Sequence, residues 1–433
     1  MAGSFGPRDD CYLFFVAFLR GTFAPFSRAS LRPMAIACLR LVTRRPDPLF
    51  NVPFFFRRIA DSTVFDAAFP YFATFTSPSL FAKSVLTSGT AYYARSHPDP
   101  QMAKRIGKWL VVALLLIVIS VSALLGAFRY QASRRETRMR VDAAPAGGRF
   151  VHAADVDLFI QELGPSGAPV VLFVHGMGAW SELWRATLVA TAAAGFHAVA
   201  LDLPPFGYSE RPARPAYGRQ DQARRILGVI DALGVRQVTL VGHSFGGGPT
   251  MEAVLLAPGR VNALILADAA IGLDSPGGSG GMATEVLRVR ALRNAIVGAT
   301  VTNPRLTRRL LSRFVERQDA ITEARVAVLQ APLAVQGGTA AFGDWLIEFL
   351  VSDEAPLSKR PDAYRALKLA TLIIWGDKDT TTPLAQGQRL SELISGSELA
   401  VMPGVGHMPQ IEDVEQFNRL LVTFLRKHGT AAP

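Results

Sequence analysis

The sequence predicts an α/β fold: a mostly parallel central sheet with helices on both faces, a helical lid insertion, and an N-terminal transmembrane helix. Three observations predict it. From Arg149 onward, short aliphatic runs alternate with longer amphipathic stretches, the pattern of parallel strands joined by helical crossovers. One such run leads into LVGHSFGGG, Leu240 to Gly248, a serine fenced by glycines where a strand gives way to a helix. Upstream, residues 110–127 read LVVALLLIVISVSALLGA, 18 positions without a charge.

The elements follow in order. Residues 156–160 alternate Val156, Leu158 and Ile160 with polar positions and predict an early strand. Residues 169–174, PVVLFV, form a continuous buried-strand run, and 180–193 a helix. Residues 197–201 are a strand, 220–233 a helix, and 237–241 the strand before the serine. Further strands are expected at 261–267, 370–375 and 399–402, and a closing helix at 414–427. Residues 272–367 break the rhythm. They open on GLDSPGGSGG, then turn helical and apolar, with Trp345, Leu346, Ile347, Phe349 and Leu350 near their end. A long helical insertion beside the carboxyl edge of a parallel sheet predicts a lid, because ligand chemistry sits at that edge. The core is therefore 150–271 with 368–428.

The net charge of +11 does not point to nucleic acid. Residues 1–140 carry 19 Lys and Arg against 7 Asp and Glu, whereas the remaining 27 basic and 28 acidic residues nearly cancel. A nucleic-acid footprint would put the excess on the folded domain. Cys11 and Cys38 both lie in the N-terminal part, so no disulfide and no cysteine metal site is available after residue 140.

Residues 1–101 hold 15 of the 27 phenylalanines, many arginines and scattered prolines, without a sustained period. Met102 opens MAKRIGKWLVVALLL, a charged segment before an apolar core. The expectation is that translation begins at Met102; the alternative is a genuine basic, aromatic-rich extension at the membrane surface. Residues 109–128 are expected to be an uncleaved single-pass anchor, with 129–149 a linker. Secretion by signal cleavage is the alternative, and basic residues on both flanks leave orientation open.

The serine turn carries the chemistry. Gly242 and Gly246 lie two positions either side of Ser244, where a sharp strand-to-helix turn leaves no room for side chains. Such a turn projects the hydroxyl from the sheet edge with a helix N-terminus behind it. Four other segments stand with it: FVHGMG, LDLPPFGYSERP, LIIWGDKDTTTP and PGVGHMPQIE. In this order, over roughly residues 150–428, the chain resembles the α/β-hydrolases.

The resemblance implies the roles. Ser244 is the nucleophile and His407 its base. Asp379 is the acid that orients His407, at the family position W-G-x-x-D-x-x-x-P, with Asp377 the runner-up and Asp268 a distant third. The oxyanion donors are the backbone N–H groups of Met177 and Phe245. His175, Gly176 and Gly178 shape the loop that carries Met177, and His243 packs beside the nucleophile. Pro205 departs from the family's usual glycine and stiffens its loop. No cofactor is expected: there is no dinucleotide fingerprint, and His175, His243 and His407 are already assigned, so no metal is expected either.

A serine nucleophile implies acyl chemistry. The principal expectation is an ester with a hydrophobic acyl or alcohol part, lipid-like in setting, cleaved through an acyl-enzyme. Carbon–carbon bond hydrolysis of diketone-like ring-fission products, or acyl transfer, is the alternative within the fold. A membrane-anchored, non-catalytic binding scaffold is the alternative of another class.

Overall fold

The structure, a computed structural model, describes residues 100–273, 282–351 and 355–429. The expectations for residues 1–99, including Cys11, Cys38 and His97, lie outside the described residues, as does most of the glycine-rich opening of the insertion. The chain divides into two units, Met1–Leu114 and Leu115–Pro433. Of the first, residues 100–114 are described, as the opening turns of helix α1, Pro100–Arg135.

Helix α1 is apolar on all sides along its middle. Leu114, Leu116, Ile117, Ile119 and Leu124 are all exposed, at 57–61 %. Gly107–Arg135 is 29 residues long and holds an 18-residue window with a mean hydropathy of 2.9. At 1.5 Å per residue that stretch reaches about 43 Å, enough to cross a hydrocarbon core of about 30 Å. Its last turns behave differently. Ala132 is buried, Arg135 Nε donates to Leu333 O at 3.0 Å, and Arg138 pairs with Val335 in an isolated bridge.

Eight strands form one sheet: β1 (Gly148–Ala153), β2 (Val156–Leu163), β3 (Val170–Val174), β4 (His197–Leu201), β5 (Val238–His243), β6 (Val261–Ala267), β7 (Ala370–Gly376) and β8 (Glu398–Met402). Their order is β1-β2-β4-β3-β5-β6-β7-β8. β1 and β2 pair antiparallel, as do β2 and β4; every other pair is parallel. β3 lies between β4 and β5, so the strand order reverses beside the serine strand. Such a reversal opens a crevice at the strands' carboxyl ends.

The inner parallel strands β3 to β7 are buried on both faces, which explains their unbroken aliphatic runs, whereas β8 is a partly exposed edge strand. Leu172, Val174, Leu240, Leu264 and Ile373 point to one face. There they meet α3 (Arg219–Ala232) through Ile226 and Ile230, and α4 (Gly247–Leu256) through Met251 and Val254. Val171, Phe173, Val241, Ile265 and Ile374 point to the other. There they meet α2 (Arg185–Ala193) through Leu188, and the closing helix (Val414–His428) through Phe417, Leu421 and Phe424.

Two differences from the sequence reading have local causes. The helix expected over 180–193 begins as a 3-10 turn, Ser181–Trp184, and becomes α-helical only at Arg185. Ser181 N is held by Asp202 Oδ1 at 2.7 Å, which tightens the first turn. β1 was not anticipated, because Arg149 and His152 interrupt its apolar pattern; it is an edge strand with one exposed face.

Between β6 and β7 the chain is helical. It includes Arg290–Ala299, Thr307–Leu311, Glu323–Gln330 and Gly338–Val351. This segment packs over the carboxyl edge, where Trp345 meets Phe206, Phe245 and Phe342 edge to face with ring centroids 5.1–5.4 Å apart.

Candidate active site

β5 ends at His243, and the next residue turns the chain. Ser244 adopts φ 51°, one of three non-glycine residues with positive φ among those described. That conformation is strained for a side chain, and it needs neighbours without side chains. A Cβ at Gly246 would lie 2.4 Å from His175 O, and one at Gly242 would lie 2.7 Å from Thr250 Oγ1. Gly176 serves the approach from the facing loop: a Cβ there would come within 2.9 Å of the Ser244 Cβ.

The three expected side chains come together. Ser244 Oγ lies 2.7 Å from His407 Nε2, and His407 Nδ1 lies 2.7 Å from Asp379 Oδ2. The geometry assigns the tautomer: Nδ1–H donates to Asp379, leaving Nε2 to accept from the serine hydroxyl. Asp379 also accepts from Thr381 N at 2.7 Å, Thr382 N at 2.9 Å and Thr382 Oγ1 at 2.6 Å. Burial pushes its carboxyl up, but the hydrogen bond and charge of His407, followed by Thr382, outweigh this and hold it below the usual carboxylate range.

The two other acids are occupied elsewhere. Asp377 Oδ1 accepts from Gly404 N at 2.7 Å and braces the loop before His407. Asp268 is fully buried, has φ 43°, and accepts from Gly376 N through Oδ1 at 3.0 Å. Burial, then the charge of Asp379, raises its pKa well above the ordinary value. Its Oδ2 has no donor among the described residues. Asp268, Asp379 and His407 place ligand-type atoms within 4.8 Å of one another. Two of those atoms, His407 Nδ1 and Asp379 Oδ2, are already bonded to each other.

His243 and His175 are struts. His243 Nε2 donates to His407 O at 2.8 Å, fixing the backbone that carries the base. Burial, and then the neighbouring His407, lowers its pKa to about 3, so it stays neutral. His175 Nδ1 donates to Gly176 O at 2.8 Å, while its Nε2 accepts from Leu203 N at 2.9 Å. Burial lowers its pKa to about 4. It ties the Met177 loop to the loop after β4. Met177 and Gly178 line a cavity together with Ser244 and His407, and Phe245 opens the turn that follows the serine. Pro205 lines the same cavity and follows a cis peptide bond.

Two residues that sequence reasoning missed support the arrangement. Thr382 holds Asp379 through both its N–H and its hydroxyl. Glu412 accepts from Gly406 N at 2.9 Å and Met408 N at 3.0 Å, on either side of His407, and from Glu316 N at 2.8 Å in the insertion. Their signals were present, a threonine run after Asp379 and an acid five residues after His407, but neither residue type announces a role without its partners in view.

The cavity has a volume of about 190 Å³. Phe206, Leu311, Phe314, Phe342 and Met408 give it apolar walls. Glu136, directly after helix α1, and Arg211 supply charge. Thr302 and Leu333 come from the insertion and Glu136 from the residue directly after α1, so the insertion and the end of α1 both contribute to the wall.

The family described as alpha/beta hydrolase fold matches residues 169–414. The chain is 32 % identical over 302 residues to 2-hydroxymuconate semialdehyde hydrolase of Pseudomonas sp. (strain CF600), covering 67 % of this chain and 97 % of that one. It is 29 % identical over 289 residues to 2-hydroxy-6-oxo-2,4-heptadienoate hydrolase of Pseudomonas putida, covering 64 % and 96 %. Among solved structures, a meta-cleavage product hydrolase from Pseudomonas fluorescens IP01 superposes with a TM-score of 0.51 at 29 % identity, covering 65 % of this chain and 98 % of that one.

Proposed function

The chain belongs to the alpha/beta hydrolase fold family and is a hydrolase, and from that premise we propose that it is a serine hydrolase of carbon–carbon bonds in acidic, ring-fission-type ketones. The observation that carries the reaction class is the Ser244–His407–Asp379 relay, with both hydrogen bonds at 2.7 Å. The relatives carry the choice of bond, and on this point they replace the ester as the first reading: those compared above are named for semialdehyde, oxo-dienoate and meta-cleavage product substrates.

The steps use groups in place. His407 takes the Ser244 proton as Oγ attacks the ketone carbon. The developing oxyanion meets the N–H groups of Met177 and Phe245. Collapse breaks the adjacent carbon–carbon bond. The substrate reacts as its 2-oxo tautomer, in which the enol proton has moved to the carbon beside the ketone, so the departing electron pair is delocalised into the conjugated 2-oxo acid system, and the proton held by His407 is delivered to the leaving part. Water, deprotonated by His407, then releases the acyl group as a carboxylic acid. Asp379 holds the imidazole and stabilises its charged form throughout.

A second reading, an ester with an apolar acyl chain, is favoured by the apolar cavity walls and by the apolar helix whose end supplies Glu136 to that wall. In both readings α1 is a single membrane span, residues 272–367 act as a lid, and no cofactor takes part. One experiment separates the two. The full chain and Ser244→Ala are given 2-hydroxy-6-oxo-2,4-heptadienoate, named for a relative's substrate, and p-nitrophenyl esters of increasing length. Serine-dependent dienoate turnover exceeding that of every ester supports carbon–carbon hydrolysis. Ester turnover alone makes the second reading the correct one.

A further inference from the structure

Residues 286–315, in the insertion, hold seven arginines and no Asp or Glu, although the charges of the chain after residue 140 nearly cancel. Four of the seven are paired: Arg288 with Glu285, Arg290 and Arg293 with Asp344, and Arg308 with Glu323. Arg305, Arg309 and Arg313 are exposed, and their guanidinium groups have no ion-pair or hydrogen-bond partner among the described residues. They stand four positions apart along one helical stretch, the 3-10 turn Pro304–Leu306, the helix Thr307–Leu311 and the turns after it, so they form a stripe. Thr307, Leu310, Leu311 and Phe314 line the cavity. The segment is a cavity wall on one side and a basic surface on the other.

The place of this surface follows from α1. The apolar run ends at Ala127. A Cβ at Gly298 would lie 3.6 Å from both Phe128 O and the Ala132 Cβ, so the insertion meets α1 within five residues of that end. At 1.5 Å per residue this is about 7 Å along the axis, and each headgroup layer of a bilayer is about 5–7 Å deep. Tyr130, exposed between the two contact points, is the kind of side chain that settles at this level. The chain from Gly298 to Arg305 folds back on the same helix end. Asn303 Nδ2 donates to Ala299 O at 3.2 Å, and Asn303 Oδ1 accepts from Arg305 N at 3.1 Å. Resting on the reading of α1 as a membrane span, we propose that Arg305, Arg309 and Arg313 dock on the phosphate headgroups of an anionic phospholipid bilayer. Guanidinium forks match phosphate oxygens. Three basic side chains at an anionic surface shift the docked-to-undocked ratio by about 100-fold. That orients an anchored unit, with one cavity wall against the lipid, and is too little to retain the chain without α1.

The test puts a fluorophore on Ser312→Cys, next to the stripe, in the full chain with Cys11→Ser and Cys38→Ser. The chain is reconstituted in vesicles of phosphatidylcholine, or of equal parts phosphatidylcholine and phosphatidylglycerol. Both contain a lipid with a nitroxide headgroup as quencher. Quenching is expected to rise about twofold or more in the anionic vesicles and to fall back with added salt. The triple change Arg305→Gln, Arg309→Gln and Arg313→Gln abolishes the rise, while Ser244 still takes a fluorophosphonate label. The triple change to Lys keeps most of it, because the charge remains. Equal quenching in the two vesicles overturns the proposal. So does a rise that survives the Gln triple, or one that salt leaves unchanged in the parent chain. Alkaline carbonate extraction from the phosphatidylcholine vesicles tests the span separately. A chain that resists extraction but shows no anionic rise keeps the span and loses the docking surface. A chain that is extracted, yet is quenched through the stripe in anionic vesicles, loses the span and keeps the docking surface.

Discussion

Ser244 holds a backbone conformation, φ 51°, that costs a side-chain-bearing residue about 1–3 kcal/mol. Two outcomes follow at this residue. Ser244→Ala removes fluorophosphonate labelling and lowers kcat by about 10⁴-fold or more, leaving what the oxyanion donors and binding alone supply. Ser244→Gly is equally inactive yet more stable than wild type, by about 1 kcal/mol in a denaturant titration, because glycine relieves the left-handed strain. Asp379→Asn lowers kcat by about 10⁴-fold, since an amide permits the wrong imidazole tautomer. Asp268 behaves oppositely. Asp268→Asn keeps the Gly376 contact and places no charge beside Asp379, so kcat stays near wild type, whereas Asp268→Leu orphans Gly376 N and lowers it. The buried histidines set the acid limit of stability. His243 and His175 have folded pKa values of about 3 and about 4, below their ordinary value. Between those values and about 6.5 the unfolded chain binds more protons, so stability falls as pH drops through this window, by about 1.4 kcal/mol per pH unit for each histidine. Urea unfolding from pH 7 to pH 4.5 measures that slope, and His243→Gln reduces it.

At the scale of elements, the β5–α4 turn and the His407 loop behave as one unit held from two sides. Gly246 packs its Cα against the β3 end, where a Cβ would meet His175 O at 2.4 Å. Backbone cannot give way as a flexible side chain does. Gly246→Ala therefore displaces the turn, and labelling of Ser244 by a fluorophosphonate is lost while the far-UV spectrum is kept. On the other side, Glu412 joins the His407 loop to the insertion through Glu316 N and Arg317 N at 2.8 and 3.0 Å. Phe314 O accepts from His407 N at 2.8 Å, which strengthens the same joint. The elements of the sheet were legible because periodicity writes them directly: β4 and β6 span the residues their aliphatic runs mark. β1 was not, because an edge strand needs only one apolar face and two of its positions are polar.

The whole molecule combines a hydrolase unit with an apolar helix. Leu116 and Ile119 lie in the middle of α1, exposed at 58 % and 61 %. The double change Leu116→Arg with Ile119→Arg puts two charges at mid-helix, each disfavouring insertion by about 2.5–3.5 kcal/mol. The expected outcome is transfer of the chain from the membrane pellet to the supernatant at unchanged thermal midpoint of the hydrolase unit. A chain that stays in the pellet places the membrane contact elsewhere. The last turns of α1 belong to the hydrolase unit rather than to the apolar stretch, since Ala132, Arg135 and Glu136 pack against or bond to the segment that contains Leu333 and Thr339.

The sequence alone predicted the fold class, the order of the parallel strands' runs and the serine turn, because each depends on local rules, while the roles of Ser244, Asp379 and His407 were implied by the resemblance to a family's motifs. Periodicity reports burial. Glycine spacing reports a tight turn. A motif fixes a residue beside its own strand. Tertiary structure alone decided what surrounds the site: Asp268 buried beside Asp379, Thr382 and Glu412 as braces, His243 and His175 as neutral struts, and Glu136 and Arg211 in the cavity wall. Those roles arise from burial and from partners that the fold brings into place, and a one-dimensional pattern carries neither the distance nor the dielectric that creates them.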